Sequence, residues 1–442
     1  MFYRYTGCDM KFAVETVRLE KIVGGGHALG TLADGRKCFV WGGLPGELVE
    51  FQVTKKKSRL VEGMVTKILE PSLERVEPRD PDSYLSTSPW QIMSFEAEQR
   101  YKTLLIDEAF TLHNVTLPSQ PTVFADNVQF AYRNKLEFSW YGDTDATSGV
   151  DTLDIAFFRR GTNGKIPVEG SALARPEINR IALQIRDLLR EKPITARNLK
   201  TLLIRCDQQG NCVWQLYIKD KLDELITSEE AARLDAQGGE IIFSNPKSPA
   251  SVITERLASF GNTTLADNLL GIRFHYACEG FFQVNLPVYA QALHDMQDWV
   301  SEAKQPVVDF YSGVGTIGLT IGGPDATLVE INENAVREME RNIAELSTPA
   351  TAVLAASEQA LDYIVSDKTV IVDPPRAGLH ADVVVRLLQT KPSRIIYLSS
   401  NPVTHARDVA LLLEGYTISH LQGYNFFPRT PHIEHLVILD HI

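Results

Sequence analysis

Residues 307–319, V-V-D-F-Y-S-G-V-G-T-I-G-L, constrain the fold more than any other stretch of the chain. An apolar β-branched run breaks at a glycine-rich turn and resumes with helical spacing: a strand, a tight turn and a helix start. Such a turn faces free backbone N–H groups and the positive pole of a helix toward a ligand. Gly313, Gly315 and Gly318 also spell G-x-G-x-x-G, a pattern that means little without its surroundings. Downstream, strands expected at 307–310, 326–330, 370–373, 394–398 and 436–439 alternate with helical stretches. That alternation predicts a parallel, doubly wound sheet whose ligands lie beyond the carboxyl ends of its strands.

The first seventy residues read differently. Short alternating strands at 14–22, 30–32, 38–41, 47–55 and 60–68 are separated by Gly24-Gly25-Gly26, Asp34-Gly35 and the turn at 42–46. Many short strands with φ > 0 turns predict a small β-barrel of the OB type. A Pro-, Asp- and Ser-rich linker follows at 70–89, then an amphipathic helix at 95–112. Strands near 129–140, 155–160, 202–206 and 213–218 and a helix at 176–190 make the middle mixed α+β. The expected division is a barrel at 1–70, a linker and central region at 71–270, and a Rossmann-like α/β domain at 271–442. A chain of 442 residues is too long for one average core, which agrees with several domains.

A formal net charge of -12 argues against indiscriminate binding to nucleic acid. The first seventy residues nevertheless hold 11 Lys and Arg against 8 Asp and Glu. Three basic clusters suit either a solvated face or a sugar-phosphate contact: Lys55-Lys56-Lys57-Ser58-Arg59, Tyr132-Arg133-Asn134-Lys135 and Arg159-Arg160-Gly161. No apolar run has the length of a membrane span, and the N-terminus lacks a signal-peptide core, so no membrane partner and a cytoplasmic location are expected. The five cysteines, Cys8, Cys38, Cys206, Cys212 and Cys278, are scattered and form no C-x-x-C. They read as buried reduced thiols, with no metal site.

The strand ends carry the chemistry. Asp309 and Tyr311 flank the end of the first strand. Glu330 ends the second, seventeen positions past Gly313, where a carboxylate can accept both hydroxyls of a ribose. Those two strands fit NAD as well as any other adenosine-bearing cofactor. The next strand ends in Asp373-Pro374-Pro375-Arg376, a rigid turn presenting a fixed carboxylate. Leu398-Ser399-Ser400-Asn401-Pro402 closes another, and 427–434, F-P-R-T-P-H-I-E, precedes the last apolar run.

In order and spacing, F-F-Q-V-N, D-F-Y-S-G-V-G-T, V-E-I-N, D-P-P-R-A-G-L, S-S-N-P-V-T-H-A-R-D and F-P-R-T-P-H-I-E resemble the RNA 5-methyluridine methyltransferases. The resemblance extends to the N-terminal barrel, which is similar to the TRAM domain of many members. It implies an S-adenosyl-L-methionine-dependent enzyme acting on C5 of uracil in RNA. The barrel leans toward rRNA over tRNA, and the relatives imply a monomer. By position, Gln283, Tyr311, Glu330 and Asp373, with the Gly313 turn, match the cofactor-binding set. Glu434 matches the base that removes the C5 proton. Asp373 also stands where it could hydrogen-bond uracil, and Ser400 occupies the place of the family's cysteine nucleophile.

C5 of uracil is too weakly nucleophilic to take a methyl group unaided. In the family a thiolate adds to C6, C5 attacks the methyl donor, and a base then strips the C5 proton to expel the enzyme. A cysteine is partly thiolate near neutral pH, whereas a serine hydroxyl needs an adjacent general base. His405 is the nearest histidine in sequence, at the start of a helix that can carry it elsewhere. Ser400 leaves three readings: a serine nucleophile or none, methylation of an atom needing no covalent step, or an introduced Cys→Ser change. Natural divergence is favoured, because Ser312 also stands at an often-Cys position. Many relatives hold an iron–sulfur cluster on four cysteines. Here Asp80-Pro81, Leu85-Ser86-Thr87-Ser88 and Ser171-Ala172-Leu173 occupy those places, and no cluster is expected. The alternative reading is a weak or inactive homologue that binds or folds RNA; an NAD-dependent oxidoreductase ranks third.

Overall fold

A computed structural model describes residues 13–144, 152–222 and 224–442; Cys8 lies outside them. β1 (Val14–Ile22), β2 (Ala28–Thr31), β3 (Lys37–Trp41), β4 (Leu48–Lys56) and β5 (Leu60–Glu70) close into a barrel in the order β1-β2-β3-β5-β4. β4 pairs back onto β1, so the barrel has no free edge. Inward positions such as Val17, Leu19, Val40, Phe51 and Val61 are buried, while Lys55 to Arg59 form an exposed hairpin tip. A short helix, α1 (Tyr84–Thr87), then leads to α2 (Phe95–Leu112), which Ser94 caps through its side chain. The two-residue strand β6 (Val123–Phe124) follows.

The central region is one sheet of seven strands. Its members are β7 (Lys135–Tyr141), β8 (Asp154–Phe158), β9 (Lys165–Pro167), β10 (Leu199–Cys206), β11 (Cys212–Ile218), β12 (Gly238–Phe243) and β13 (Glu255–Gly261). They lie in the order β13-β12-β11-β10-β7-β8-β9. α3 (Pro176–Arg190) packs Ile178, Ile181, Ile185 and Leu189 against the sheet's apolar side chains. α4 (Ser228–Ala231) is a single turn with a capping box. β7 begins later than the sequence suggests, because residues 131–133 bond to 172–175 and not to the sheet.

Cys206 and Cys212 face each other beside the β10–β11 turn. The neighbouring Asp207 N–H donates to the Asn211 carbonyl at 2.9 Å, so the cysteines occupy the closer, non-hydrogen-bonded pair of the ladder. Their Cα atoms are 4.1 Å apart and they form a disulfide, which corrects the expectation of reduced thiols for this pair. Cys38 and Cys278 are free and buried.

A hairpin, β14 (Thr264–Leu269) and β15 (Ile272–Ala277), leads into the last region. There follow α5 (Leu286–Ala303), β16 (Val307–Phe310), α6 (Thr316–Ile321), β17 (Thr327–Glu330), α7 (Glu333–Leu346) and β18 (Thr351–Leu354). The chain ends with β19 (Thr369–Val372), α8 (Ala381–Thr390), β20 (Arg394–Ser399), α9 (Pro402–Leu412), β21 (Tyr416–Tyr424) and β22 (Glu434–His441). The sheet order is β18-β17-β16-β19-β20-β22-β21-β6.

Strands β18 through β20 run parallel with helices on both faces, the expected Rossmann-like arrangement. β22 alone departs from the all-parallel expectation, since it is antiparallel to both of its neighbours and β21 runs in the direction of β20. β16 is buried on both sides: Val308 and Phe310 join one core, Val307 the other. The strand order reverses between β16 and β19, the place where such folds open a crevice. α2 and β6, counted with the central region on sequence, attach instead to this sheet. β6 pairs with β21, and α2 packs on α9.

Candidate active site

One cavity of about 880 Å³ lies beyond the carboxyl ends of β16, β17, β19 and β20. Its lining includes every site residue expected from the sequence: Gln283, Tyr311, Gly313, Glu330, Asp373, Ser400 and Glu434. The central region supplies part of the opposite wall through Arg133, Leu136, Ser171 and Leu173.

The half nearest the glycine turn is built locally. Gly313 has φ +57 and a Cβ there would meet nothing within 4 Å, so the backbone borders open space. Gly318 answers a packing need, because a Cβ would come within 2.0 Å of Leu328 Cδ2. Its N–H donates to Asp309 Oδ2 at 2.9 Å, tying strand to helix. Asp309 Oδ1 is buried without a partner, and burial pushes its pKa to about 8. Glu330 accepts from Gly313 N at 2.9 Å and from Asn332 N at 2.7 Å, so its carboxylate is oriented before any ligand arrives. Tyr311 holds φ 64, a left-handed conformation rare outside glycine, and its hydroxyl meets Ser357 Oγ at 2.8 Å. Ser312 donates to the Asp309 carbonyl at 2.6 Å, which gives it a turn-stabilising role.

The other half gathers three strands. Asp373 follows β19, Ser400 follows β20, and Glu434 opens β22. Because β22 runs antiparallel to β20, with Ser399 opposite His435, the start of one lies beside the end of the other. Burial raises the Asp373 pKa to about 7. Burial first, and the neighbouring Asp373 second, raise Glu434 well above the usual carboxylate range, with Arg376 pulling the other way. Two carboxyl groups so placed disfavour double ionisation. The Arg376 guanidinium hydrogen-bonds His432 Nδ1, and burial, with Arg376 second, lowers His432 to about 4. Asn401 Nδ2 and Thr404 Oγ1 both donate to the Arg376 carbonyl, at 2.9 and 3.0 Å, joining the turn after β19 to that after β20.

His405 does not serve Ser400. It is buried on the far side of the sheet, its ring 4.1 Å from that of Tyr397 and its Nδ1 3.3 Å from His435 Nδ1. Burial keeps it neutral, its pKa held well below the ordinary histidine value.

Members of two basic clusters, for which the sequence left open a solvated face or a sugar-phosphate contact, bond to protein instead. Lys135 Nζ donates to the carbonyls of Glu279 and Gly280 at 2.9 and 3.2 Å, and burial lowers its pKa to about 8. Asn134 Nδ2 donates to the Gln283 carbonyl at 3.0 Å, fixing the loop that carries Gln283. Tyr132 donates to the Pro428 carbonyl at 3.1 Å. Arg160 stacks over Trp41 of the barrel at 4.1 Å and bonds the Leu85 carbonyl. Of these residues, only Arg133 lines the cavity.

The segments standing where relatives carry cluster cysteines meet in space through hydrogen bonds. Asp80 accepts from Ala172 N at 3.1 and 3.0 Å and from Gln91 Nε2, which also donates to Ser88 Oγ. Among the described residues no group of three His, Cys, Asp or Glu could hold a metal ion. None of their helices is long and apolar enough to cross a membrane. Sequence reasoning missed Arg376 and His432 as a pair, although both sit inside the quoted motifs.

Residues 358–442 match the family model described as tRNA (Uracil-5-)-methyltransferase. An RNA methyltransferase of Enterococcus faecalis is 30% identical over 429 residues, covering 91% of this chain and 92% of that protein. One from Lactiplantibacillus plantarum is 28% identical over 92% of this chain and 93% of its own length. In three dimensions the chain is similar to the Pyrococcus abyssi tRNA (uracil-54, C5)-methyltransferase in complex with S-adenosyl-L-homocysteine. The TM-score is 0.77 at 22% identity, covering 96% of this chain and all of that one, which shows a shared fold. The Enterococcus faecalis relative, 30% identical along nearly its whole length, establishes that this chain belongs to the RNA methyltransferases.

Proposed function

We propose that the protein methylates C5 of uracil in RNA with S-adenosyl-L-methionine as donor. The observation that carries the reading is the convergence of Gln283, Tyr311, Gly313, Glu330, Asp373, Ser400 and Glu434 on one cavity. The cavity suits an adenosine-bearing sulfonium. Gly313 leaves room for close backbone approach, Glu330 offers an oriented carboxylate to ribose hydroxyls, and Tyr311 and Gln283 flank the space. When bound, the cofactor supplies an electrophilic methyl group.

The chain's own residues do the rest. Asp373, held by its proline turn, orients the uracil edge; protonated, it can donate a hydrogen bond to a carbonyl. Glu434 takes the C5 proton after methyl transfer, helped toward its ionised form by Arg376. Ser400 stands where a nucleophile would add to C6. With His405 turned into the core, the histidine nearest in sequence does not activate its hydroxyl. That observation supports the second reading, a slow or inactive member that binds or folds RNA.

Ribosomal RNA is the substrate class we carry forward, by analogy of the N-terminal barrel, but both RNA types belong in the assay. Labelled S-adenosyl-L-methionine is incubated with total rRNA and with total tRNA, and the products are digested to nucleosides. Labelled 5-methyluridine from either supports the reading and names the RNA. Its absence, from a protein that binds S-adenosyl-L-homocysteine, removes the catalytic claim. Activity gained in Ser400→Cys identifies the nucleophile as the missing part.

A further inference from the structure

The segment 425–434 supplies Phe427, Thr430, His432 and Glu434 to the cavity. Its shape is set from outside the C-terminal region. Glu98 and Lys102, one turn apart on α2, are fully buried and pair at 3.0 Å. A lysine ammonium has three N–H donors, and this one uses all of them. They reach Glu98, Asn425 Oδ1 at 2.6 Å and the Phe427 carbonyl at 3.1 Å. The Glu98 carboxylate accepts from Asn425 Nδ2 at 2.9 Å and from the Arg429 backbone N–H at 3.0 Å. Arg429 has φ 65, a backbone conformation a non-glycine residue keeps when its surroundings hold it there.

From Phe427 the hydrogen bonds continue to the cavity. Thr430 Oγ1 donates to the Phe427 carbonyl at 2.8 Å and accepts from His432 N at 3.3 Å. His432 bonds Arg376, whose carbonyl takes Asn401 Nδ2. The α2 pair is thus linked to the loop bearing Glu434 and, through Arg376, to the turns after β19 and β20. Stability alone does not call for such a pair, since well-packed apolar residues are often as stable as a buried ion pair. What apolar residues cannot do is fix the orientation of the 427 carbonyl and the 429 N–H.

We propose that Glu98 and Lys102 are positioning residues that set where the Glu434 carboxylate and the Arg376–His432 pair stand in the cavity. This rests on the reading of Glu434 as the base.

The test uses full-length Glu98→Gln/Lys102→Met, which removes both charges of the pair together but also takes from the buried Arg429 guanidinium its carboxylate 3.7 Å away, and Thr430→Val, which breaks the next link while leaving all three buried charges in place. Amide hydrogen exchange followed by mass spectrometry is expected to quicken about tenfold or more in 425–434 in both variants, with 307–321 unchanged. Affinity for S-adenosyl-L-homocysteine is expected to stay within about twofold of wild type, while single-turnover methyl transfer falls about tenfold or more. Unchanged exchange in 425–434 overturns the proposal. So does exchange that quickens across the whole C-terminal sheet, or a double variant that does not fold, either of which would mark the pair as merely structural. Should Glu434→Gln leave transfer intact, the base reading fails, and the exchange data still judge the positioning by themselves.

Discussion

The two halves of the cavity are built in different ways. The half around Gly313 is made by contiguous chain: one strand, one turn and one helix start, with Glu330 on the next strand already bonded to Gly313 N. The half around Glu434 is assembled from the ends of β19 and β20 and the start of an antiparallel β22. It is braced by a helix more than three hundred residues earlier in the chain. A local motif can preserve the first half while the second drifts. Ser400 sits in the second.

The strongest way to separate the halves is Glu434→Gln. Methyl transfer is expected to drop on the order of 10²–10⁴-fold, the usual contribution of a general base, with S-adenosyl-L-homocysteine affinity in calorimetry unchanged. Equal loss in both measurements would erase the division. Gly318→Ala should strike the other half through its scaffold. The added methyl runs into Leu328 and crowds Asp309, so urea denaturation is expected to show a loss of about 3 kcal/mol along with weakened cofactor binding.

A third effect depends on pH and belongs to the floor beneath the reacting half. His405 and His435 are buried against each other, and burial lowers His435 from 6.5 to about 3. The unfolded chain therefore takes up a proton that the folded one refuses. This contribution is undiminished above pH 6.5, declines as pH falls toward 3, and changes no further below that. By pH 5 about 2 kcal/mol of it has been lost for His435. His435→Phe should flatten the acid limb of stability relative to wild type. Parallel limbs would contradict it. The smallest effect is expected for Glu330→Gln: about tenfold weaker cofactor binding, or ~1.4 kcal/mol, with methyl transfer at saturation nearly unchanged. A fall in saturated rate would show that the halves are coupled.

What could be read in advance follows the same division. The barrel strands, the glycine turn and α3 come from short-range spacing, the site residues as a set come from the family resemblance, and the structure brings all seven onto one cavity. The disulfide was missed because it depends on hairpin register, which composition does not reveal. Lys135 and Arg160 looked like surface cations, yet their partners are backbone carbonyls and a tryptophan ring from distant segments. Glu98 and Lys102 have the i, i+4 spacing of an ordinary exposed helix pair, and nothing local marks them as buried.

β6 has one more consequence, for how the molecule comes into being. Synthesis delivers α2 and β6 early, then the whole central sheet, and only at the end β21, to which Val123 and Phe124 are joined. The outer strand of the catalytic sheet must wait for its partner across 300 residues, counted from Thr122 to the Gln422 it bonds. Until the last strand emerges, α2 has no sheet to cover. A fragment beginning at 271 would in turn expose β21 as a bare edge, open to pairing with a second copy. The sheet that carries the site therefore closes after the central sheet has been made, and it closes around residues synthesised long before its own strands.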